Sequence, residues 1–254
     1  MTLDGTNTYL LGSPGSGGVV VVDPGPDVAE HRAAIEAAAA AEDAAVAAVV
    51  FTHHHIDHAQ AARWAREWGV QAFAFSPEMI RAAVSPLADG AMVAVGGVTV
   101  EAVHTPGHAS DHLCLRVAQT GAVLTGDHVL GRGTTVVAWP DGDMAAYMDS
   151  LHRLARLDAT VLYPGHGPPL PDPAAVVRQY IAHREEREEQ VVAALTAGDD
   201  TPRAVVKRVY ADVDEALHPA AERSVRAHLD KLIREERVGR VLDPSSERES
   251  YRVR

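Results

Sequence analysis

The chain has 254 residues, of which 46% are hydrophobic and 23% charged, an ordinary composition for one large globular domain or for a domain with a small appendage. Its net charge of -12 argues against a protein that lives mainly on nucleic acid, and no run reaches the roughly 18 to 20 consecutive apolar residues of a membrane span. With one cysteine and no signal-peptide pattern at the N-terminus, we expect no membrane association and a cytoplasmic location.

The first two thirds of the chain mix strand and helix patterns. An N-terminal hairpin is predicted from two apolar runs that flank a Gly- and Ser-rich turn. An alanine-rich helix follows from about Val28 to Glu42, with Asp27 as its N-cap. This alternation predicts two mixed sheets with helices outside. The remaining strands are expected at residues 44–51, 70–75, 92–95, 98–103, 113–117, 122–125 and 160–163, and helices at 61–68 and 143–157.

The pattern changes to helices after Asp172. A long charged helix from Pro173 to about Leu195 is followed by two shorter helices and two strand-like runs, the order of a winged helix. We therefore predict three units: a catalytic domain over residues 1–171, a connecting helix over 172–198 and a winged-helix-like domain over 199–254.

Four histidines and an aspartate follow the buried strand 44–51 directly, in the run from Thr52 to His58. Loops at the carboxyl ends of strands commonly carry the chemistry of layered folds. In extended backbone His53 and His55 point to the same side and suit one metal ion, whereas Asp57 and His58 turn into the next helix and suit a second. A histidine run is often a purification tag, but this one is internal and includes an acid.

Three later loops, each also at a predicted strand end, offer further ligands beside glycines. Their candidate residues are His108, Asp127 and His166. A carboxylate has two oxygens and can bridge two ions, and a water between two such ions becomes a nucleophile near neutral pH. The predicted assignment is one ion at His53, His55 and His108, a second at Asp57, His58 and His166, and Asp127 between them.

These motifs together resemble the metal-binding motifs of the metallo-β-lactamase fold superfamily. The opening Gly5–Gly12, the run Asp127–Gly131 and the winged-helix-like tail resemble one branch, which includes a mitochondrial endoribonuclease and fungal acyl-carrier thioesterases. The resemblance implies an α/β fold, an αββα sandwich, with a dizinc centre and hydrolysis. His and carboxylate ligands would also accept other divalent transition metals. The motifs that carry the resemblance to the superfamily are Thr52–His58, Thr105–His108, Thr125–Asp127 and Pro164–Gly167.

The other polar residues are expected to play supporting or surface roles. Asp23 resembles an acid that braces the metal loop in relatives, although a plain turn residue before Pro24 would look the same. His112 and His128 are candidates for supporting the ligands or for contacting substrate. Cys114, in an apolar run, is expected in the core. Structural or solvent-facing positions are expected for His54 and His104, and surface positions for His31, His152, His183, His218 and His228.

Three functions fit the sequence. The first is a metal-dependent hydrolase of a small ester, thioester or lactone, with Asp57 orienting the water and relaying a proton. The acidic catalytic half favours such small acyl substrates over long polyanions. True β-lactam hydrolysis is not expected, because there is no export signal and no cysteine ligand. The sequence indicates no oligomeric state.

The second function is hydrolysis of single-stranded RNA, and the third is a non-enzymatic winged-helix regulator. For RNA, basic residues of the last helix and the wing would follow the backbone. Interspersed acids instead favour a solvated helix that pairs its own charges. A regulator would not need an open site for two ions. The basic residues in question are Arg223, Arg226, Lys231, Arg234, Arg237, Arg240, Arg248 and Arg252.

Overall fold

A computed structural model describes residues 5–242 and 249–254, and in it two five-stranded sheets face each other. The first sheet has the strand order β1-β2-β3-β4-β5. Strands β2 to β5 are parallel and β1 pairs with β2 in the antiparallel sense, as the predicted hairpin requires. These strands are β1 Tyr9–Leu11, β2 Gly18–Val22, β3 Ala45–Val50, β4 Gln71–Ala74 and β5 Ser85–Pro86.

The second sheet has the order β10-β9-β8-β7-β6 and is antiparallel except for the parallel pair of β9 and β10. Cys114 lies in β8 and is buried, as expected of a core residue. The strands are β6 Met92–Val95, β7 Val98–His104, β8 Leu113–Val117, β9 Val123–Gly126 and β10 Leu162–Pro164.

Alternation along the strands builds three layers of apolar packing. Val20 and Val22 face the second sheet, whereas Val21 between them faces the helices on the outer side. The outer face of the second sheet packs against a helix through Tyr147 and Leu151. The predicted αββα sandwich is therefore confirmed. Its helices are α1 Ala29–Ala41, α2 Ile56–Ala59 and α3 Arg63–Trp68 on the first sheet and α4 Met144–Ala155 on the second.

Two local predictions near α1 and α3 were wrong in detail. The N-cap of α1 is Val28, not Asp27, and it makes no side-chain cap bond. The carboxylate of Asp27 instead accepts hydrogen bonds from Arg63 and from the Trp64 indole, because the loop docks against α3. One helix was expected at residues 61–68, but the α-helix α3 begins only at Arg63. Residues Gln60–Ala62 form a 3₁₀ turn, and the short helix α2 precedes that turn.

The C-terminal elements form the predicted winged-helix arrangement around a core of their own. Helix α5 joins the two cores, with Tyr180 packed on the sandwich and Leu195 in the C-terminal core. Because one helix belongs to both, the unit boundaries at 171/172 and 198/199 stay a prediction. Arg248 lies outside the described residues. The elements are α5 Pro173–Thr196, α6 Pro202–Val209, α7 His218–Arg234, β11 Val238–Leu242 and β12 Glu249–Val253. Within 5–242 and 249–254, every helix falls short of the length and apolar character that a bilayer crossing demands.

Candidate metal centre

The predicted ligands meet at one edge of the sandwich, where strands β3, β7, β9 and β10 end. Three of them surround a first position. His53 Nε2 and His108 Nε2 each lie 3.0 Å from His55 Nδ1. Ligand atoms of a tetrahedral zinc ion with bonds of 2.0–2.1 Å are separated by roughly 3.3 Å, so these three nitrogens are near the spacing that one ion needs.

A second group of predicted ligands lies beside the first. The Oδ2 atom of Asp57 is 3.6 Å from His58 Nε2 and 3.2 Å from His166 Nε2. The side chains of His58 and His166 are almost fully buried, whereas that of Asp57 is 28% exposed. This group therefore has two enclosed imidazoles and one carboxylate that solvent or a substrate reaches.

Asp127 lies between the two groups and turns a different oxygen to each. Its Oδ1 atom is 3.4 Å from His58 Nε2 and 3.3 Å from His166 Nε2, whereas its Oδ2 atom is 3.6 Å from His108 Nε2. Three buried atoms at this junction, His58 Nε2, His166 Nε2 and Asp127 Oδ1, have no hydrogen-bond partner among the described residues. Buried polar atoms without partners are costly, and a cation at this point would satisfy all three.

The electrostatics of the two groups differ. Burial, together with His58 and His108 nearby, holds the pKa of His53 well below its usual value, so this ring is neutral, the form that binds metal. At His58 burial also lowers the pKa, but the carboxylates of Asp23 and Asp127 outweigh it and raise the pKa to about 10. The pKa of His166 is likewise raised to about 10, by Asp127 and Asp57 against burial. The carboxylates of Asp23, Asp57 and Asp127 thus favour a positive charge at His58 and His166.

Asp23 braces the loop that carries the first ligands. Its carboxylate accepts hydrogen bonds from Thr52 N (2.7 Å), from Thr52 Oγ1 (2.6 Å) and from His58 Nδ1 (2.9 Å). The Thr52 hydroxyl in turn lies 3.0 Å from His53 Nδ1. Because these hydrogen bonds are made by the Nδ1 atoms of His53 and His58, the Nε2 atom of each ring is available to bind a metal. The carboxylate of Asp23 therefore contacts both ends of the loop from Thr52 to His58.

The N-terminal segment holds the loop of His166, a role that sequence reasoning missed. His166 Nδ1 donates to the Gly5 carbonyl oxygen at 2.9 Å. The Asn7 side-chain amide donates to the carbonyl oxygens of Pro164 (2.9 Å) and Gly167 (2.8 Å). Asn7 was noted only as part of a motif, and no signal in the sequence shows which loop it would contact.

The loop over residues 132–138 supports His108 and Asp127, which the sequence also did not indicate. His108 Nδ1 donates to the Val136 carbonyl at 2.7 Å, and the Thr135 hydroxyl donates to the Asp127 carbonyl. Arg184 of α5, which is 5% exposed, donates to the Thr135 carbonyl. A buried arginine on the connecting helix therefore fixes the loop beside the centre.

Some of the remaining histidines lie where the sequence predicted and others do not. His112 Nε2 accepts a hydrogen bond from the Asp127 backbone at 3.1 Å, and its ring is fully buried. His128 is also fully buried and packs on Tyr147, and neither of its ring nitrogens has a hydrogen-bond partner within the described chain, so a substrate does not reach it. The expected surface position of His228 was wrong: it is 1% exposed, because α7 packs against α5 there. His54 pairs with Asp111, His104 stacks on Phe75, His152 is exposed, and His31, His183 and His218 are partly exposed.

An open cleft of about 500 Å³ leads to the centre. Four predicted ligands line it, namely His55, Asp57, His108 and Asp127. A larger hollow of about 800 Å³ lies in the C-terminal domain and contains none of them. The walls of the cleft are Leu130, Arg132, Gly133, Thr134, Thr135, Val136, Ala138, Asp141, Ala220 and Arg223.

Comparisons with known proteins agree with this architecture. The model of the metallo-beta-lactamase superfamily matches residues 1–166, and that of the beta-lactamase associated winged helix domain matches residues 201–246. A beta-lactamase-like protein 2 homolog from Caenorhabditis elegans is 33% identical, over 92% of this chain and 80% of that protein. An atrochrysone carboxyl ACP thioesterase from Aspergillus fumigatus is 32% identical, over 94% of this chain and 79% of that protein.

Solved structures give the same result. The crystal structure of a metallo-beta-lactamase family protein from Thermus thermophilus is 26% identical and superposes with a TM-score of 0.81, covering 98% of this chain and 94% of the other. The likeness therefore includes both the sandwich and the C-terminal elements. The chain belongs to the metallo-beta-lactamase superfamily of hydrolases and carries the winged helix domain associated with it.

Proposed function

We propose that this hydrolase cleaves a small ester, thioester or lactone at a centre of two zinc ions. The observation that carries the proposal is the placement of Asp127, whose two oxygens face two different ligand groups. A site for a single ion would not need both oxygens of Asp127 to face ligand groups. The proposed ligands are His53, His55 and His108 for one ion, Asp57, His58 and His166 for the other, and Asp127 for both.

The donor set fits zinc, which prefers nitrogen and carboxylate oxygen in compact tetrahedral sites. When bound, such ions lower the pKa of water near neutrality and polarise a carbonyl oxygen. The five imidazoles and two carboxylates carry a formal charge of -2 when the rings are neutral, which balances half the charge of two divalent ions.

Asp57 is the proposed catalytic residue among the ligands. It is the most exposed carboxylate of the centre and lines the cleft, so its free oxygen reaches a water beside a bound substrate. From there it orients the water for attack, takes up its proton and passes the proton to the leaving group. The buried ligands His58 and His166 have no such access.

The cleft suits an acyl group of modest size. Its volume of about 500 Å³ falls within the range of small-molecule sites, and Leu130, Val136 and Ala138 give it an apolar wall. The Aspergillus relative is named a thioesterase, and we carry that chemistry to this chain as part of the proposal. A cytoplasmic location, where acyl thioesters occur, belongs to the proposal as well.

RNA cleavage is the second candidate, and the charges of α7 weigh against it. Arg226 pairs with Glu222 and Glu249, and Lys231 pairs with Glu188 and Glu235. These basic groups are neutralised within the protein, so they offer little to a phosphate backbone.

The test is a substrate panel with metal content measured in parallel. Zinc-loaded protein is assayed with an aryl ester, an acyl thioester, a lactone and single-stranded RNA. We expect turnover of at least one acyl substrate, lost on chelation and restored by zinc. Cleavage of RNA by a protein that ignores every acyl substrate would replace the proposal with the second candidate. Duplex DNA binding without any turnover would indicate a regulator.

A further inference from the structure

The winged helix domain supplies part of the wall of the catalytic cleft. Ala220 and Arg223, in the first two turns of α7, line the same cleft as the predicted ligands Asp57 and Asp127. The contact is anchored by the backbone, since the Trp139 amide donates to the carbonyl oxygen of Arg223 at 3.4 Å. The cleft therefore has one wall from each domain.

Arg223 differs from the other basic residues of its helix. Arg226, Lys231 and Arg234 each form ion pairs with carboxylates. Within residues 5–242 and 249–254, the exposed side chain of Arg223 has neither an ion pair nor a hydrogen bond. A guanidinium beside the cleft without a carboxylate partner is available to pair with an anion from outside the chain.

Two further charged residues outside the ligand set line the cleft, Arg132 and Asp141. Arg132 is on the loop after β9. Among the described residues of the walls, the only carboxylate outside the ligand set is Asp141, and it accepts hydrogen bonds from the amide (3.2 Å) and the hydroxyl (2.6 Å) of Ser110. Asp141 is thus already engaged by Ser110, and Arg223 remains the guanidinium of the α7 wall of the cleft.

We propose that Arg223 binds an anionic group of the substrate, a carboxylate or a phosphate, while the scissile carbonyl lies at the metal centre. The winged helix domain then acts as a specificity element for the catalytic domain. This inference rests on the proposed function and narrows its substrate class to acyl compounds that carry a negative charge away from the reacting bond. A guanidinium binds both anions through paired, charge-assisted hydrogen bonds.

The experiment uses three thioesters that differ in charge. Butyryl-N-acetylcysteamine is neutral, glutaryl-N-acetylcysteamine has a carboxylate on the acyl side, and butyryl-pantetheine 4′-phosphate has a phosphate on the leaving side. The zinc-loaded protein is compared with Arg223→Ala, with Arg223→Lys and with Arg203→Ala. Arg203 is an exposed arginine of α6 outside the catalytic cleft, so its loss matches the change in charge.

We expect Arg223→Ala to lower kcat/KM about tenfold, or about 1.4 kcal/mol, for one anionic thioester, mainly through KM. The neutral thioester should change less than twofold, Arg223→Lys should restore part of the loss, and Arg203→Ala should match the unaltered protein. Loss on the glutaryl compound places the anion in the acyl half, and loss on the phosphate compound places it in the leaving half. An equal effect on all three substrates, or none, would overturn the inference.

A binding measurement separates this inference from the proposed function. Calorimetry gives the Kd of glutarate, butyrate and pantetheine 4′-phosphate for zinc-loaded protein and for Arg223→Ala. If no thioester is hydrolysed, the proposed function fails, yet a Kd for glutarate or the phosphate that weakens about tenfold in Arg223→Ala would still support the anion site. Equal Kd values in the two proteins would refute it.

Discussion

Asp127 is the residue that faces both predicted ligand groups. It is 9% exposed, and its Oδ1 atom is buried without a hydrogen-bond partner in the described structure while Oδ2 faces His108. Burial raises the pKa of this carboxyl, but His166 and His58 outweigh it and hold the pKa well below its usual value. The residue is therefore ionised, and it brings to the centre a negative charge that a neutral side chain of the same shape would not supply.

Asp127→Asn tests this role, since it keeps the shape and removes the charge. We expect metal content to fall from two ions per chain to one or fewer, and kcat/KM for an acyl substrate to fall by more than the roughly 10–100-fold typical of losing an outer partner of a ligand. Metal analysis of dialysed protein and steady-state kinetics measure the two effects. Full metal content with unchanged kinetics would contradict the bridging role.

Asp23 lies outside the predicted ligand groups, and its carboxylate accepts hydrogen bonds from Thr52 and His58. Asp23→Asn should weaken zinc binding by about 10–100-fold and leave the fold intact, because His58 loses the carboxylate that orients its ring. Competition with a chromophoric chelator measures the Kd. Asp89→Asn, which alters an exposed acid paired with Arg153, is the control. Equal affinities in the two variants would remove Asp23 from the metal centre.

At the scale of elements, the position of each ligand depends on how tightly its loop packs. Gly107 precedes His108 and lies against α4, where a Cβ atom would approach the Cα and Cβ atoms of Tyr147 to 2.4 Å. Its φ of +138° is also unfavourable for other residues. The loop before His108 and the first turns of α4 are thus in direct contact, and we expect this contact to direct the His108 side chain.

Gly107→Ala should therefore destabilise the protein by about 1–3 kcal/mol and weaken zinc binding, because the loop must move away from α4. Urea unfolding of metal-free protein and zinc titration measure the two effects. Gly90→Ala is a matched control: its φ is +74°, but no described atom lies within 4 Å of the added Cβ. If both variants lose the same stability and neither changes zinc affinity, close packing at Gly107 does not position the ligand.

Helices α5 and α7 are joined by Glu188, which accepts hydrogen bonds from Lys231 and Arg237. Burial raises its pKa, but His228, Lys231 and Arg237 close to the carboxylate outweigh burial and lower the pKa to about 2. A folded pKa below the unfolded value of about 4.3 stabilises the protein above pH 4.3, and this contribution disappears as the pH falls towards 2.

Glu188→Gln should cost about 1 kcal/mol at pH 7, after allowance for solvent screening, and roughly a quarter of that at pH 2.5, because a folded pKa of about 2 leaves part of the carboxylate's contribution in place there. Urea unfolding of chelated protein at the two pH values measures the difference. Glu189→Gln, an exposed neighbour, is the control and should be neutral at both. A cost for Glu188→Gln that is the same at pH 7 and pH 2.5 would show that its ionisation is not responsible.

At the scale of the whole molecule, the sequence predicts what depends on strand ends and misses what depends on contacts between distant elements. His53, His108, Asp127 and His166 could be predicted because each lies a few residues after an apolar run. The α7 wall of the cleft was not foreseen, because the position of Arg223 depends on how the C-terminal domain docks on the loop of Trp139.

Dependence on contacts between distant elements also explains why the predictions for Asp27 and His228 were wrong. Asp27 is a good N-cap by residue type, yet its pairing with Arg63 and Trp64 competes successfully for its carboxylate. His228 occupies a charged, surface-like stretch of sequence, and only the packing of α7 on α5 buries it. Local propensity decides element type, whereas tertiary contacts decide caps and burial.

The direct test of the metal centre is anomalous diffraction from crystals of zinc-loaded protein, recorded above and below the zinc edge. The account predicts two zinc peaks in each molecule, one among His53, His55 and His108 and one among Asp57, His58 and His166, with an oxygen of Asp127 bonded to each. A single peak, or zinc bound at other residues while these seven side chains stay unligated, would contradict it.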